Sequence, residues 1–113
     1  MSLVIEPRGN ATIVEVIDRF DVITAPEIKA ELLKAAEGGA DTIVIDLSQL
    51  TFLDSSGVGV LVAAHKTLEH RGGRLHLAGA TKQAQLVLRL TQLESMFSLH
   101  PSVDDALAAS AAA

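Results

Sequence analysis

Residues 50–59 read Leu-Thr-Phe-Leu-Asp-Ser-Ser-Gly-Val-Gly, and they connect a predicted β-strand to a predicted α-helix. The strand spans residues 42–47 and is rich in β-branched side chains, whereas the helix runs from about Ser56 to Glu69. Aspartate and serine are frequent helix N-caps, because their oxygens accept hydrogen bonds from the unpaired N–H groups of the first turn. Taken locally, the pattern fits either a plain capped helix or a functional serine.

The composition is that of a single globular domain. The chain has 113 residues, 49% hydrophobic and 20% charged, so residues 1–113 are expected to form one domain whose alanine-rich end, residues 108–113, frays. A formal net charge of −5 makes nucleic-acid binding unexpected. No membrane insertion is expected, since there is neither a run of about 20 apolar residues nor a polybasic helix. The absence of cysteine and of a signal peptide favours a cytoplasmic protein.

Strand and helix patterns alternate through the chain. The predicted strands span residues 4–6, 11–17, 42–47, 74–78 and 96–99, and the predicted helices start near residues 24, 56, 81 and 102. Three successive strand–helix units predict an α/β domain with a mainly parallel sheet and right-handed crossovers. The first two strands are joined by a tight turn and are expected to be antiparallel.

Further expectations concern the helix starts and the faces of the sheet. Thr24 and Glu27 have the spacing of a capping box at the start of the first helix. Alternating polar residues in the third and fourth strands of this pattern indicate that one face of the sheet is incompletely covered. The second helix begins with apolar residues on all sides. Either some of Val58, Val60 and Leu61 remain at the surface as a docking area, or the helix lies deep against the sheet.

The sequence contains no convincing enzymatic constellation. A nucleophile elbow needs Gly-x-Ser-x-Gly, whereas Leu53 and Asp54 precede the two serines. The four histidines fall on different elements without a metal-ligand spacing. The helix start at residues 57–59 could cradle a phosphate, but it lacks a third glycine and a Walker lysine. Asp21 and Asp46 are more simply turn and strand-end residues than an acid–base pair. We therefore predict no enzyme, no catalytic residue, no metal site and no cofactor.

The stretch Phe-Leu-Asp-Ser-Ser-Gly-Val-Gly-Val-Leu at residues 52–61 resembles the signature of the STAS family, the anti-sigma factor antagonists of bacteria. Other landmarks of that family follow in its order, at residues 20–21, 24–27, 72–75, 90–93 and 97. The resemblance covers roughly residues 13–107. It implies a mixed, mostly parallel sheet of four to five strands, with about four helices mainly on one face. Asp18 is a departure, because the family often has glycine at this position.

The resemblance also implies a function. In the family, the serine directly after the aspartate is phosphorylated by a partner kinase that is itself the anti-sigma factor, which places the phosphorylation site at Ser55. The implied partners are an anti-sigma factor kinase of the GHKL type, which binds the unphosphorylated protein, and a PP2C-like phosphatase that resets the switch. The expected partner-binding residues are Asp21, Asp54, Ser55, Ser56, Gly57 and Val58.

Two other interpretations remain open. The chain is a STAS subunit of a transporter or stress-sensing complex in which the serine is only a cap, or it binds a small ligand or nucleotide at residues 57–59. The phosphoserine interpretation makes two geometric predictions. The Ser55 hydroxyl is accessible at the start of the second helix, and Asp21 and Asp54 lie within about 15 Å on one edge of the sheet, where parallel strands end.

Overall fold

Strands and helices alternate along residues 3–111, which are the part of the chain that this computed structural model describes. In chain order the elements are β1 (Leu3–Arg8), β2 (Ala11–Val16), β3 (Asp18–Phe20), α1 (Ala25–Glu37), β4 (Thr42–Asp46), β5 (Leu50–Leu53), α2 (Ser55–His70), β6 (Arg74–Ala78), α3 (Lys82–Leu90), β7 (Ser98–His100) and α4 (Val103–Ala111). Most boundaries lie within a few residues of the predicted ones. The short strands β3 and β5 are the elements that the sequence pattern does not predict.

Five strands form the main sheet, in the order β1-β2-β4-β6-β7. β1 is antiparallel to β2, with Leu3 opposite Val16, as the tight turn between them predicts. The other neighbouring strands are parallel, and Ile43 of β4 lies opposite Leu75 of β6. The first four residues of β4 are all buried, in keeping with its central place in the sheet. The predicted α/β fold with a mixed, mostly parallel sheet is confirmed.

Three helices pack on one face of this sheet, as predicted. Each contributes buried side chains to the main core: Ile28 and Leu32 from α1, Leu61 and Leu68 from α2, and Ala84 and Leu88 from α3. The inward-facing residues of β2, β4 and β6 complete this core. Burial of these aliphatic side chains is the main force that holds the helices on the sheet.

The apolar start of α2 is buried. Val58, Val60 and Leu61 are only 2%, 5% and 0% exposed, so the expectation that some of them stay at the surface is wrong. α2 packs against α1, β5 and β6 at the same time, and an apolar residue on almost any side of its first turns is therefore covered. These three side chains stabilise the fold and do not form a docking surface.

α4 covers the opposite face of β4 and β6, whereas Val4, Glu6 and Arg8 of β1 stay exposed on this same face, so the expectation of one incompletely covered face is confirmed. Thr42, Val44 and His76, which lie on this face, are all buried. A second, smaller core joins the sheet to the helix and consists of Ile13, Val44, Ala78 and Ala106.

The ends of α4 are held by hydrogen bonds. The Asp105 N–H donates to Ser102 Oγ at 3.1 Å, so Ser102 caps the helix as predicted. Near the other end, Ser110 Oγ lies 3.1 Å from Thr42 Oγ1 of β4. The helix continues to Ala111, so residues 108–111 are helical, and the expected fraying of residues 108–113 stays a prediction. Residues 112–113, the rest of the predicted tail, lie outside the described residues.

The structure brings two histidines together on the face that α4 covers. His76 of β6 is 6% exposed, and its Nδ1 lies 2.9 Å from Nε2 of His100 on β7. Its Nε2 is buried and has no hydrogen-bond partner among residues 3–111. Burial lowers the pKa of His76, and the positive charges of His100 and Arg74 lower it further. The folded state therefore favours a neutral His76.

This burial predicts a loss of stability in acid. Below about pH 6.5, the ordinary pKa of histidine, the unfolded chain binds a proton that folded His76 resists. The free energy of unfolding should therefore fall with decreasing pH, by up to about 1.4 kcal/mol per pH unit for this one proton. Denaturant titrations at about pH 7.5 and pH 5.5 measure the effect. The variant His76→Val should show a weaker pH dependence than the wild type, and an equal dependence would refute the assignment.

Candidate functional site

Ser55 is the first residue of α2 and follows β5 after one intervening residue. Its side chain is exposed, and no hydrogen bond from residues 3–111 engages it. The hydroxyl lies at the positive end of the helix, where the backbone N–H groups of the first turn point outward. The prediction of an accessible serine at this helix start is confirmed.

Asp54, rather than a serine, caps α2. Its Oδ1 accepts hydrogen bonds from the Ser56 N–H at 2.8 Å and from the Gly57 N–H at 3.1 Å. The backbone of Asp54 is extended, as is usual for an N-cap residue. Because one carboxylate satisfies two N–H groups and also matches the helix dipole, the cap needs no contribution from Ser55. The Ser55 hydroxyl is therefore left available for other chemistry.

Gly57 allows another backbone to approach the first turn of α2 closely. A Cβ atom at this position would lie 2.6 Å from the Phe20 carbonyl oxygen and 2.6 Å from Leu53 Cδ1. The same Phe20 oxygen accepts a hydrogen bond from the Asp54 N–H at 3.2 Å. The missing side chain of Gly57 therefore permits a close approach, and the approaching backbone is β3 of the same chain. Gly59 differs, because a Cβ there would meet nothing within 4 Å.

Asp21 shapes the loop between β3 and α1. Its Oδ1 accepts hydrogen bonds from the Ile23 N–H at 3.0 Å and the Thr24 N–H at 3.2 Å, and Arg19 Nε donates to Oδ2 at 2.7 Å. The hydrogen bond from Arg19 lowers the pKa of Asp21, and those from the two N–H groups act in the same direction, against an opposing effect of burial. Asp21 is only 6% exposed, so its carboxylate serves the loop itself.

The predicted cap by Thr24 at the start of α1 is wrong, because the Thr24 hydroxyl is engaged by the preceding loop. The Thr24 side chain makes no cap hydrogen bond to α1. Its Oγ1 instead donates to the Arg19 carbonyl oxygen at 2.9 Å and accepts from the Asp21 N–H at 3.1 Å. At the first residue of α1, the Ala25 N–H donates to the Asp21 carbonyl oxygen of the preceding loop at 2.8 Å.

Asp21 and Asp54 are neighbours. β3 and β5 form a separate two-stranded parallel sheet in which Phe20 lies opposite Leu53, and each aspartate directly follows one of these residues. Adjacent strands are about 4.8 Å apart, so the two residues lie well within the predicted separation of about 15 Å. They sit at the carboxyl ends of parallel strands as predicted, although the strands belong to the small sheet and not to the main one.

Asp18 starts the small sheet with an unusual backbone conformation. Its φ is +68°, in the left-handed region that glycine adopts most easily. Thr51 Oγ1 donates to the Asp18 carbonyl oxygen at 3.0 Å and to its Oδ1 at 2.8 Å, which stabilises this conformation. Aspartate thus takes the conformation expected of glycine at this position, and local hydrogen bonds offset part of its cost.

Three residues support the site without a signal in the sequence. Gln83 of α3 pairs with the free edge of β5, since its Oε1 accepts from the Leu53 N–H at 2.9 Å and its Nε2 donates to the Leu53 oxygen at 2.8 Å. The Arg19 guanidinium lies 4.7 Å from the centre of the Phe52 ring. The contact of Gln83 involves a single glutamine on a helix, which has no recognisable sequence pattern. Arg19 and Phe52 are 33 positions apart, so no local pattern indicates their contact either.

Within the described residues, no group of three or more His, Cys, Asp or Glu side chains could hold a metal ion. Among residues 3–111, no helix has both the length and the hydropathy needed to cross a membrane. What the arrangement offers is a hydroxyl at a helix N-terminus, a place where backbone N–H groups and the helix dipole favour a phosphate.

The fold is that of a small α/β domain with the exposed Ser55 hydroxyl at the end of a two-stranded sheet. The chain belongs to the STAS domain family, whose model matches residues 2–106. Both the order of the elements and the motif around Ser55 agree with that assignment.

Proteins similar to this chain carry the name anti-sigma factor antagonist. The anti-sigma-B factor antagonist of Bacillus subtilis (strain 168) is 28% identical over 95 residues, which cover 84% of this chain and 86% of that protein. The structure of an anti-sigma factor antagonist from Mycobacterium paratuberculosis is 29% identical, with a TM-score of 0.87 over 95% of this chain and 91% of that one. The Bacillus cell fate determinant SpoIIAA in its phosphorylated form has the same fold, with a TM-score of 0.74 at 22% identity over 93% of this chain and 96% of that one.

Substitutions of Gly57 and Gly59, the two glycines of α2, test the close approach of β3 to the first turn of this helix. Gly57→Ala should lower the free energy of unfolding by about 1–3 kcal/mol, because its Cβ would overlap the Phe20 carbonyl group. Gly59→Ala should instead raise it, by up to about 1 kcal/mol, because alanine is the better helix former and the space is open. Urea denaturation of both variants measures the difference. Equal stabilities would show that β3 does not approach α2 as described.

A second pair of variants distinguishes the role of Asp54 as the helix cap from that of the exposed Ser55 hydroxyl. Asp54→Ala should lower the free energy of unfolding by about 0.5–2 kcal/mol, since it leaves two first-turn N–H groups without their acceptor. Ser55→Ala should change it by no more than about 0.5 kcal/mol, because the Ser55 side chain makes no hydrogen bond to any of residues 3–111. The same denaturation experiment compares them. A larger loss for Ser55→Ala than for Asp54→Ala would reverse the assignment of the cap.

Proposed function

We propose that this chain is an anti-sigma factor antagonist whose binding to an anti-sigma factor is switched off by phosphorylation of Ser55. The observation that carries the proposal is the Ser55 hydroxyl, which is exposed, free of intramolecular hydrogen bonds among the described residues, and fixed at the first position of α2. The names of the relatives at 28% and 29% identity support the antagonist role. The phosphorylated form of SpoIIAA, a protein of the same fold, supports the switch.

The effect of a phosphate at Ser55 follows from its surroundings. Phosphorylation adds about −1.5 to −2 charges. In the free protein water solvates this charge, and the N-terminus of α2 offsets it by about 0.3–1 kcal/mol. The fold therefore accommodates the modification. In a complex, a partner packed over Ser55 would strip water from the phosphate beside the Asp54 carboxylate, and binding would weaken.

The six predicted contact residues divide into two groups by burial. Ser55 is exposed, and Asp54 and Ser56 are half-buried, so these three are positioned for direct contact with a partner. The other three are buried and would act by holding the loop and the helix in place: Asp21, Gly57 and Val58. Substituting a member of the buried group should therefore disturb binding through the shape of the site.

In this proposal the anti-sigma factor is also the serine kinase of the GHKL type that modifies Ser55, and a PP2C-like phosphatase removes the phosphate. The proteins meet in the cytoplasm, and residues 1–113 act as one domain. The chain is the substrate of both enzymes and contributes no catalytic residue of its own. The cycle links the state of the kinase to the amount of sigma factor that is free for transcription.

Charge substitutions at two serines test the switch. Ser55→Asp should fold with a free energy of unfolding within about 1 kcal/mol of the wild type, because an acidic residue suits the first turn of a helix. It should bind the anti-sigma factor at least about tenfold more weakly, because the partner must desolvate the new charge. Ser55→Ala should bind as the wild type does and should not be phosphorylated.

Ser95→Asp is the matched control, because it adds the same charge at an exposed serine between α3 and β7. Calorimetric titration with a GHKL-type anti-sigma factor kinase measures all four affinities. If Ser55→Asp and Ser95→Asp bind equally well, a negative charge at position 55 is not sufficient to release the partner.

A further inference from the structure

One edge of β5 is completed by a side chain of α3. β3 and β5 form a two-stranded sheet, so among residues 3–111 β5 has a neighbouring strand on one side only. On its other side, Gln83 Oε1 accepts a hydrogen bond from the Leu53 N–H at 2.9 Å, and Gln83 Nε2 donates to the Leu53 carbonyl oxygen at 2.8 Å. One amide group thus reproduces the two hydrogen bonds that a residue exchanges with its partner in an antiparallel strand.

The peptide group that joins Leu53 to Asp54 is held from two sides. Its carbonyl oxygen accepts a hydrogen bond from Gln83 Nε2, and its N–H donates to the Phe20 carbonyl oxygen at 3.2 Å. Asp54 in turn fixes the start of α2, because its Oδ1 accepts hydrogen bonds from two N–H groups of the first turn. Since the chain is fixed immediately before and after Asp54, its backbone has little freedom to reorient Ser55.

Water cannot easily replace the Gln83 amide. Leu53 is 0% exposed, so its N–H and carbonyl groups depend on partners within the protein. Gln83 is itself well anchored, because the next residue, Ala84, is buried in the main core and donates its N–H to Thr81 Oγ1 at 3.2 Å. Removal of the amide would leave two backbone groups of β5 without partners, and the peptide group would have to turn to reach water.

We propose that Gln83 is a positioning residue for the phosphorylation of Ser55, an inference that rests on the function proposed above. In that reaction Ser55 Oγ forms a bond to the γ-phosphorus of ATP, the bond from this phosphorus to the ADP oxygen breaks, and the hydroxyl proton passes to a base of the kinase. The hydroxyl must lie about 3–3.5 Å from the phosphorus and in line with the leaving oxygen, and a misplacement of about 1 Å costs up to about a hundredfold in rate. By fixing the peptide group ahead of Asp54, Gln83 keeps the hydroxyl in one orientation.

The test compares three variants of α3 and its cap. Gln83→Met keeps the length of the side chain and removes the amide. Gln85→Met is the matched control, because Gln85 Nε2 also donates to a backbone oxygen, that of Ala80 at 2.8 Å, and not to β5. Thr81→Ala controls for stability, since it removes the N-cap of the helix and leaves Gln83 in place. Phosphorylation of Ser55 by a GHKL-type anti-sigma factor kinase with ATP is followed at several protein concentrations, at a temperature where circular dichroism shows every variant to be folded.

We expect Gln83→Met to lower kcat at least about tenfold and to leave the KM for this protein substrate within about twofold of the wild type, because a misoriented hydroxyl slows the transfer more than it weakens binding. Gln85→Met and Thr81→Ala should keep the wild-type kcat.

Two results would overturn the positioning role while the proposed switch stands. In the first, the wild type is phosphorylated at Ser55 and Gln83→Met has the same kcat as either control variant. In the second, Gln83→Met raises KM without lowering kcat, which would make Gln83 a binding contact. If the wild type is not phosphorylated at Ser55, both the positioning role and the proposed function fail.

Discussion

The site depends on one close approach, between the Phe20 carbonyl group at the end of β3 and the first turn of α2. That oxygen accepts a hydrogen bond from the Asp54 N–H and lies only 2.6 Å from where a Cβ on residue 57 would be. Only glycine therefore fits at position 57 without displacing its neighbours. The same contact determines what surrounds Ser55. It places Asp21 next to Asp54, and it brings the loop after β3 to the side of the serine. A small two-stranded sheet, separate from the main one, therefore positions the modifiable hydroxyl and its neighbours as one unit.

Within this unit, the two carboxylates stabilise the fold, whereas the Ser55 hydroxyl has the proposed regulatory role. Asp54 caps α2 and Asp21 holds the loop before α1, and each carboxylate accepts two backbone N–H groups. Ser55 makes no such contribution, because its side chain has no hydrogen-bond partner among the described residues. A charge added at Ser55 therefore breaks no interaction of the fold. In the proposed function, phosphorylation of Ser55 therefore acts on the partner protein that covers this residue and requires no refolding of the domain.

Local patterns in the sequence predict the main sheet, its helices and the exposure of Ser55, because strand periodicity, caps and helix-ending glycines act over a few residues. They fail where a feature depends on a distant neighbour. β3 and β5 are three and four residues long, too short for a periodic signal, and they form only because they pair with each other. The burial of Val58 depends on α1 and the sheet together, and the cover over β4 depends on α4. Thr24 has the spacing of a cap relative to Glu27, but its hydroxyl bonds the Arg19 carbonyl oxygen and the Asp21 N–H of the preceding loop instead.

The most direct test of the phosphoserine switch uses the protein phosphorylated stoichiometrically at Ser55, since a true phosphate avoids the incomplete mimicry of aspartate. Its affinity for the anti-sigma factor is measured beside that of the unmodified protein, together with the melting temperatures of both. The account predicts closely similar melting temperatures and an affinity at least about tenfold lower, or about 1.4 kcal/mol, for the phosphorylated form. Equal affinities of the two folded forms would contradict it.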